Sequence, residues 1–272
     1  MKKLFVFLCF SGLFLSTSNA REEITISMPR LRLGIEAGLE TFFGQINKPE
    51  MIRESKYYYY YYDRYDDGFI YNSQDVKFSY IGIKPEYQLT KRIAVAAGIR
   101  FSYNKVVMKS DQDSFLWKLS EKGLTTNYVR IKEISQESYF IGVPLELRFF
   151  PKEKNYLWRN YFIFGMTFNY LISSTEDVKF LNRKMDKYTS EVLKHIDEPN
   201  NFQIYIYPGI GVKIGRENLM MGYLEFHFPA CIYNYDSPNS LATVNNDRFG
   251  IGLQMSLLIP IFQNNQLTYT IK

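Results

Sequence analysis

The sequence predicts an all-β fold: an eight-stranded antiparallel up-and-down transmembrane β-barrel with short periplasmic turns and long outer loops. Three observations predict it. An export-type segment opens the chain, eight segments alternate apolar with polar or glycine residues, and the connections between those segments alternate long with short. Side chains alternate across a strand, so each segment offers one apolar and one polar face. That pattern, repeated behind an export signal, is the signature of a membrane barrel.

The opening segment is read first. Lys2 and Lys3 form a positive start, Leu4 to Leu15 is an apolar run, and Ser18, Asn19 and Ala20 are small residues suited to signal-peptidase cleavage before Arg21. Residues 1–20 are therefore expected to be a signal peptide and 21–272 the barrel domain. Cleavage removes Cys9 and leaves Cys231, a single thiol that cannot form an internal disulfide. The formal charge of +5 falls to about +3 when Lys2 and Lys3 are lost, and no basic run points to nucleic acid. No later stretch of roughly 20 apolar residues suggests a transmembrane helix. Mean hydropathy is below zero, as expected where half of every strand faces a polar interior. The 17 % aromatic content suits interfacial girdles.

The strands are expected at about 30–44, 76–89, 92–106, 137–150, 160–173, 202–215, 219–232 and 247–262. The first places Leu31, Leu33, Ile35, Ala37 and Leu39 on one face and Arg32, Gly34, Glu36, Gly38 and Glu40 on the other. The second and third carry Ile81, Ile83, Tyr87 and Leu89, then Ile93, Val95, Ala97, Ile99, Phe101 and Tyr103. The fourth and fifth carry Tyr139, Ile141, Val143, Leu145, Leu147 and Phe149, then Phe162, Phe164, Met166, Phe168 and Tyr170. The sixth, seventh and eighth follow with Ile204 to Ile214, Met220 to Phe228 and Phe249 to Ile259 at every second or fourth position. Each set spans a bilayer as a tilted strand of about ten residues. Pro85, Pro144, Pro208 and Pro260 are expected at bulges or strand ends, because proline cannot donate to a ladder.

Alternation alone does not say which face is inside; a soluble ligand-binding barrel would show the same period. The glycines favour a polar interior. Gly34, Gly38, Gly82, Gly98, Gly142, Gly209, Gly211, Gly250 and Gly252 all fall on the polar face, and the crowded lumen of an eight-stranded barrel needs small residues. The lumen is then expected to hold Arg32, Glu36, Glu40, Lys84, Glu86, Arg100, Glu146, Arg148, Lys213, Glu225, His227 and Arg248. Buried charges must pair, so these residues read as an ion-pair network that plugs the lumen, with a selective path as the competing reading. Glu225 and His227 lie two apart on one strand and could form a general-base pair, but no nucleophile motif accompanies them. No phosphate loop, dinucleotide fingerprint or metal spacing appears, and neither cofactor nor metal is expected.

The loops hold the remaining candidates. Tyr57, Tyr58, Tyr59, Tyr60, Tyr61 and Tyr62 form a run in the first long connection; tyrosines give broad amphipathic contact at low entropy cost. Trp117 is a similar exposed-aromatic candidate in connection 107–136. In 176–198, Val178, Leu181, Met185, Tyr188, Val192 and Ile196 recur at three- and four-residue intervals, which suggests a short amphipathic helix.

The stretch Tyr139 to Phe150, Tyr-Phe-Ile-Gly-Val-Pro-Leu-Glu-Leu-Arg-Phe-Phe, resembles a strand common in the PorT-type outer-membrane β-barrel family of Gram-negative bacteria. Asn160 to Gly165 and Pro208 to Val212 are similar to that family's next two strands. The resemblance implies an eight-stranded barrel of the size of OmpA and OmpX barrels. It offers no catalytic residues, and some members serve protein secretion. The chain departs from many barrels in continuing from Phe262 through Gln263 to Lys272.

The resulting expectation is a non-enzymatic, monomeric outer-membrane barrel surrounded by lipid. Its lumen is closed, and its loops contact a protein or surface ligand as a binding, structural or secretion-associated component. The alternatives are a narrow porin-like channel for small solutes and, more remotely, a membrane-embedded hydrolase using His227.

Overall fold

Antiparallel pairing carries the chain round a closed ring. The computed structural model describes residues 24–43, 49–52, 70–72, 75–110, 113–122, 125–152, 157–215, 219–234, 239–244 and 249–271; the expected signal peptide, Tyr57–Tyr62 and Arg248 lie outside them. The strands are β1 (Ile24–Phe43), β2 (Ile70–Asn72), β3 (Asp75–Gln88), β4 (Ile93–Ala97), β5 (Ile99–Ser110), β6 (Phe115–Lys122), β7 (Thr125–Phe149) and β8 (Trp158–Phe180). A 3₁₀ turn (Arg183–Tyr188) and the short helix α1 (Thr189–Leu193) precede β9 (Phe202–Ile214), β10 (Met221–His227), β11 (Ala230–Asn234) and β12 (Gly250–Ile271).

β1 pairs with β3 on one side and β12 on the other, which closes the ladder. β4 and β5 are one stave interrupted at Gly98: Glu86↔Ala96 and Gly82↔Arg100 keep a single register across the gap. β10 and β11 likewise lie along β9 as one stave, interrupted at Phe228 and Pro229. The ring therefore has eight staves. One hydrogen-bonding row runs Phe149, Phe162, Ile210, Phe226, Leu253, Leu39, Ser79, Tyr103 and returns to β7 at Tyr139, ten residues from its start. That stagger corresponds to strands tilted by about 40°, and to an interior that side chains fill.

The prolines depart from expectation. Pro85 and Pro144 stand inside β3 and β7 with their register unbroken, and it is the stave between them that is interrupted. The Gly98 amide donates to the Pro144 carbonyl across the gap, 3.2 Å, and the Phe228 amide donates to Pro208 at the other interruption, 2.9 Å. Only Pro260 lies near a register shift, the one between Pro29 and Leu31 on β1.

The expected connections 107–136 and 174–201 are also corrected. Much of each is ladder: β5 and β7 pair as far as Lys109↔Glu133, β7 and β8 as far as Ile131↔Phe180, and β6 forms a hairpin on the end of β7. One side of the barrel thus rises as a wall above the rim; the wall end is called upper here. The helix expected within 176–198 is shorter than its periodicity implied, because Val178 still belongs to β8. The reason is a polarity reversal. Below Tyr103 and Tyr139 the outward residues are apolar (Ile99, Phe101, Ile141, Val143, Leu145, Leu147) and exposed. Above them the outward residues become Lys105, Lys109, Glu133 and Glu137, while the inward ones become Val106, Met108, Ile131 and Ile134. The strands continue, but their apolar face changes sides.

Candidate functional site

The ion-pair candidates fall on the inward parity of six staves, and all but Arg248, which lies outside the described residues, are buried. They form one chain of alternating sign. Arg32 Nη1 lies 3.1 Å from Glu86 Oε1, and Glu86 Oε2 accepts from Arg148 Nη1 at 2.8 Å. Arg148 Nη2 meets Glu146 Oε2 at 2.5 Å, and Glu146 Oε1 lies 2.6 Å from Lys84 Nζ. Lys84 also meets Glu36 at 2.5 Å, Glu36 accepts from Arg100 Nε at 2.9 Å, and Arg100 Nη1 reaches Glu40 at 3.5 Å. Glu225 branches from this chain, taking 2.8 Å hydrogen bonds from Arg148. Every carboxylate along it has a cation at contact distance, the condition under which buried charge is tolerable. Lys213 is buried on the same parity of β9.

Four tyrosines that the sequence reading did not single out complete the network. Tyr80 donates to Gln254 (2.8 Å), Tyr161 to Glu225 (2.6 Å), Tyr207 to Glu146 (2.9 Å) and Tyr223 to Glu86 (3.0 Å). The Arg100 guanidinium stacks 3.8 Å from the Tyr80 ring centroid, and Arg148 lies 4.8 Å from that of Tyr223, adding cation–π attraction. Three of these rings lie over a glycine on the paired strand: Tyr80 on Gly38, Tyr207 on Gly165, Tyr161 on Gly211. A methyl group at any of the three glycines would overlap the ring. The signal was parity: Tyr80 shares its face with Lys84 and Glu86.

The ionic layer lies between two apolar layers. Beneath it are Ala94, Phe150, Met221 and Leu258. Above it Phe42, Phe78, Phe140 and Tyr205 form an aromatic group, with Phe42–Tyr205 centroids 4.9 Å apart and Phe78–Phe140 5.9 Å apart. Higher still, the inner side of the raised wall packs against Val192, Ile196 and the segment Leu241, Ala242 and Val244. Gln136 fixes that segment: its Oε1 accepts from Ser240 Oγ (3.0 Å) and the Ala242 amide (2.9 Å), while its Nε2 donates to Glu176 (3.0 Å) and the Asp197 carbonyl (2.9 Å).

Trp117 belongs to this upper core. It was expected to be exposed for binding and is instead fully buried, because β6 turns its apolar face towards the inside of the wall. Glu225 and His227 lie two residues apart on the inward face of β10. Glu225 accepts from Arg148, Tyr161 and Gln254, and His227 packs against Tyr207 with ring centroids 5.1 Å apart. On the outer face of the wall, Lys109 and Lys179 lie 2.9 and 3.0 Å from Glu133. The hydrogen bond from Lys109, joined by that from Lys179, outweighs desolvation and holds the Glu133 carboxyl below the ordinary carboxylate value.

No protein-family model matches this chain, and no curated protein matches it. Two solved structures are similar to it in layout. The outer membrane protein OprG from Pseudomonas aeruginosa is 10 % identical over 85 % of this chain and 94 % of its own, with a TM-score of 0.37. The N-terminal β-barrel domain of Pseudomonas aeruginosa OprF is 9 % identical over 86 % of this chain and 100 % of its own, with a TM-score of 0.30. The barrel assignment rests on the closed ladder itself.

Proposed function

We propose that the chain is a non-conducting, non-enzymatic outer-membrane barrel, monomeric within the bilayer, that acts as a structural, binding or secretion-associated component through its raised wall. The observation that carries this reading is the polarity reversal at one level of the barrel. Below Tyr103 and Tyr139 the exterior is apolar, with Ile35, Leu39, Ile81, Ile83, Leu253, Met255 and Leu257 exposed on other staves. Above that level the exterior carries ion pairs such as Lys105–Glu137, 2.6 Å. An apolar belt topped by tyrosines and then by charge matches a hydrocarbon core, an interface and water. The wall then stands outside the cell, and the short connections from β3 to β4 and from β9 to β10 face the periplasm. Continuous alternation from Arg32 to Glu40 supports a closed lumen, since eight strands leave little room beside filled side chains. The PorT-type resemblance is consistent with a secretion role, and the wall offers a surface for a protein or surface ligand.

Planar-bilayer recording of refolded protein, with insertion proved by protease protection, tests the reading. Silence from an inserted barrel is expected. Discrete ion-selective steps would replace it with the narrow-channel alternative, in which the lumen charges select the solute.

A further inference from the structure

The apolar belt of the lower half is recessed at one place. One row of outward residues runs through Tyr87, Val95, Leu147 and Phe164 on β3, β4, β7 and β8. The next row up sets Ala97 beside Leu145 and Met166. At these two levels β4 presents small side chains where its neighbours present large ones. Gly98 holds the same stave close against β3, since a methyl group there would overlap the Ile83 carbonyl. The result is an apolar groove of about 550 Å³, with Pro85, Val95 and Ala97 as its small residues and Tyr87, Leu147 and Phe164 as its tall ones. That volume is in the range of small-molecule sites.

Below the groove lies the turn that carries Lys91 and Arg92. Arg92 is three residues from Val95, about 10 Å along a strand. The turn is braced on several sides. Thr90 Oγ1 accepts from the Arg92 and Ile93 amides (3.2 and 3.1 Å), and Gln88 Nε2 donates to the Thr90 carbonyl (2.7 Å). The Phe150 amide donates to the Arg92 carbonyl and Arg159 Nη2 to the Lys91 carbonyl, both at 2.8 Å. Lys152, exposed on the neighbouring lower connection, adds a third cation. Among the described residues of the lower connections none is acidic; the remainder, with Glu153, Lys154, Arg216 and Glu217, is neutral by sequence. The upper exterior differs, because Lys105, Lys109 and Lys179 each lie against Glu137 or Glu133. Trp158 is exposed at the lower end of β8, and tryptophan favours the level of lipid headgroups.

We propose that groove and turn together bind one anionic phospholipid, with an acyl chain along Val95 and Ala97 and the phosphate at Lys91 and Arg92. The site rests on the membrane reading above, which sets the turn at headgroup level. Basic residues there select anionic headgroups, and a recess gives a chain more contact atoms than a flat belt does. A second copy is the poorer occupant. Copies in one membrane share an orientation, so a two-fold contact through this groove would bring both Lys91–Arg92 turns to one depth, like charge against like.

The test is photolabelling of the protein refolded into phosphatidylcholine vesicles. A minor fraction of the lipid is phosphatidylglycerol or phosphatidylcholine with a diazirine in the acyl chain. Folded, heat-modifiable protein is isolated after irradiation, and labelled residues are read by mass spectrometry. The phosphatidylglycerol probe is expected to label residues 95–97 and 145–147 about tenfold more than the phosphatidylcholine probe. Lys91→Gln with Arg92→Gln should bring the two probes level. Ala97→Leu, which fills the recess, should cut the labelling of Leu145 and Leu147 by phosphatidylglycerol. Equal labelling by the two probes in the unaltered protein would overturn the site, as would a preference that survives the charge substitutions or the filled recess. A dimer contact that shields the groove from both probes would overturn it in favour of a second copy. Absence of label from the exposed Leu253 and Leu257 with either probe would overturn the membrane reading separately.

Discussion

The lower and upper halves of this barrel exclude water from their interiors by opposite means. In the lower half the exterior is apolar and the interior is a chain of paired charges from Arg32 to Glu40. In the upper half the exterior carries Lys109, Glu133 and Lys179, and the interior is packed with Phe78, Phe140, Trp117 and Ile134. The same strands, β5, β7 and β8, run through both. On the membrane reading proposed above, what changes is the medium outside. Where water is available the hydrophobic effect fills the interior. Where the exterior is itself apolar, burying more apolar side chains inside gains little, and complementary charges and tyrosine hydroxyls specify the packing. The lower half is therefore expected to be sensitive to unpaired charge and the upper half to lost volume.

Substitution at the hub should separate the two most strongly. Arg148→Met leaves Glu86, Glu146 and Glu225 short of a cation; loss of one partner from a buried ion pair costs about 3–5 kcal/mol. The urea midpoint of the refolded barrel should fall for the whole molecule; an unchanged midpoint would show that the network contributes little. Trp117→Ala removes the largest buried side chain of the wall, about 3 kcal/mol. Hydrogen exchange should quicken in β6 and the upper part of β7 while the barrel still resists unfolding by detergent at room temperature. Uniform loss of protection would mean the halves fold as one unit.

Smaller effects sharpen the contrast. Gly165→Ala pushes a methyl into the Tyr207 ring, an overpacking cost of about 1–3 kcal/mol; Gly222→Ala, with nothing near the added methyl, is the control. Gln136→Ala releases Ser240 and the Ala242 amide and should expose segment 239–244 to protease, at about 1–2 kcal/mol. The Glu133 cluster gives the smallest effect, a few tenths of a kcal/mol for partly solvated pairs. Its folded carboxyl titrates below its unfolded value. The stabilisation is therefore present above the ordinary carboxylate range, near pH 4.3, and is lost as pH falls through the lowered folded value. Exchange in the Lys109–Glu133–Lys179 region should accelerate on acidification, and Glu133→Gln should flatten that dependence.

These contrasts also explain what was legible beforehand. The lumen residues were, because parity within a strand is unambiguous once one face is chosen, and the small residues among Arg32, Glu36 and Glu40 chose it. The lumen tyrosines were passed over because the parity argument was applied to charged residues alone, although Tyr207 and Tyr223 share a face with Lys213 and Glu225. The upper ends of β5, β7 and β8 were read as loop because Lys109, Glu133 and Lys179 break the apolar-out rule on which strand recognition relied. Trp117 followed the same error, since a tryptophan in an assumed loop is taken for exposed. Most ion-pair partners were not legible, because they join different strands, as Arg148 joins Glu225 across the lumen; Glu146 and Arg148, two apart on β7, are the exception.

The pairing of β1 with β12 is expected to form last during assembly. It is the seam at which the ring closes, and it joins Leu39 to Leu253 and Phe42 to Gly250. Loop-closure entropy rises only slowly with the length of chain enclosed, but contacts of such high sequence separation form late and slow the overall rate. A nascent chain lacking its final segment loses both the β10–β12 pairing and the β1–β12 seam, and so keeps free edges at β1 and β10. Its folding is then governed by arrival of the last residues, and truncation before Gly250 is expected to leave an open, aggregation-prone sheet rather than a smaller barrel.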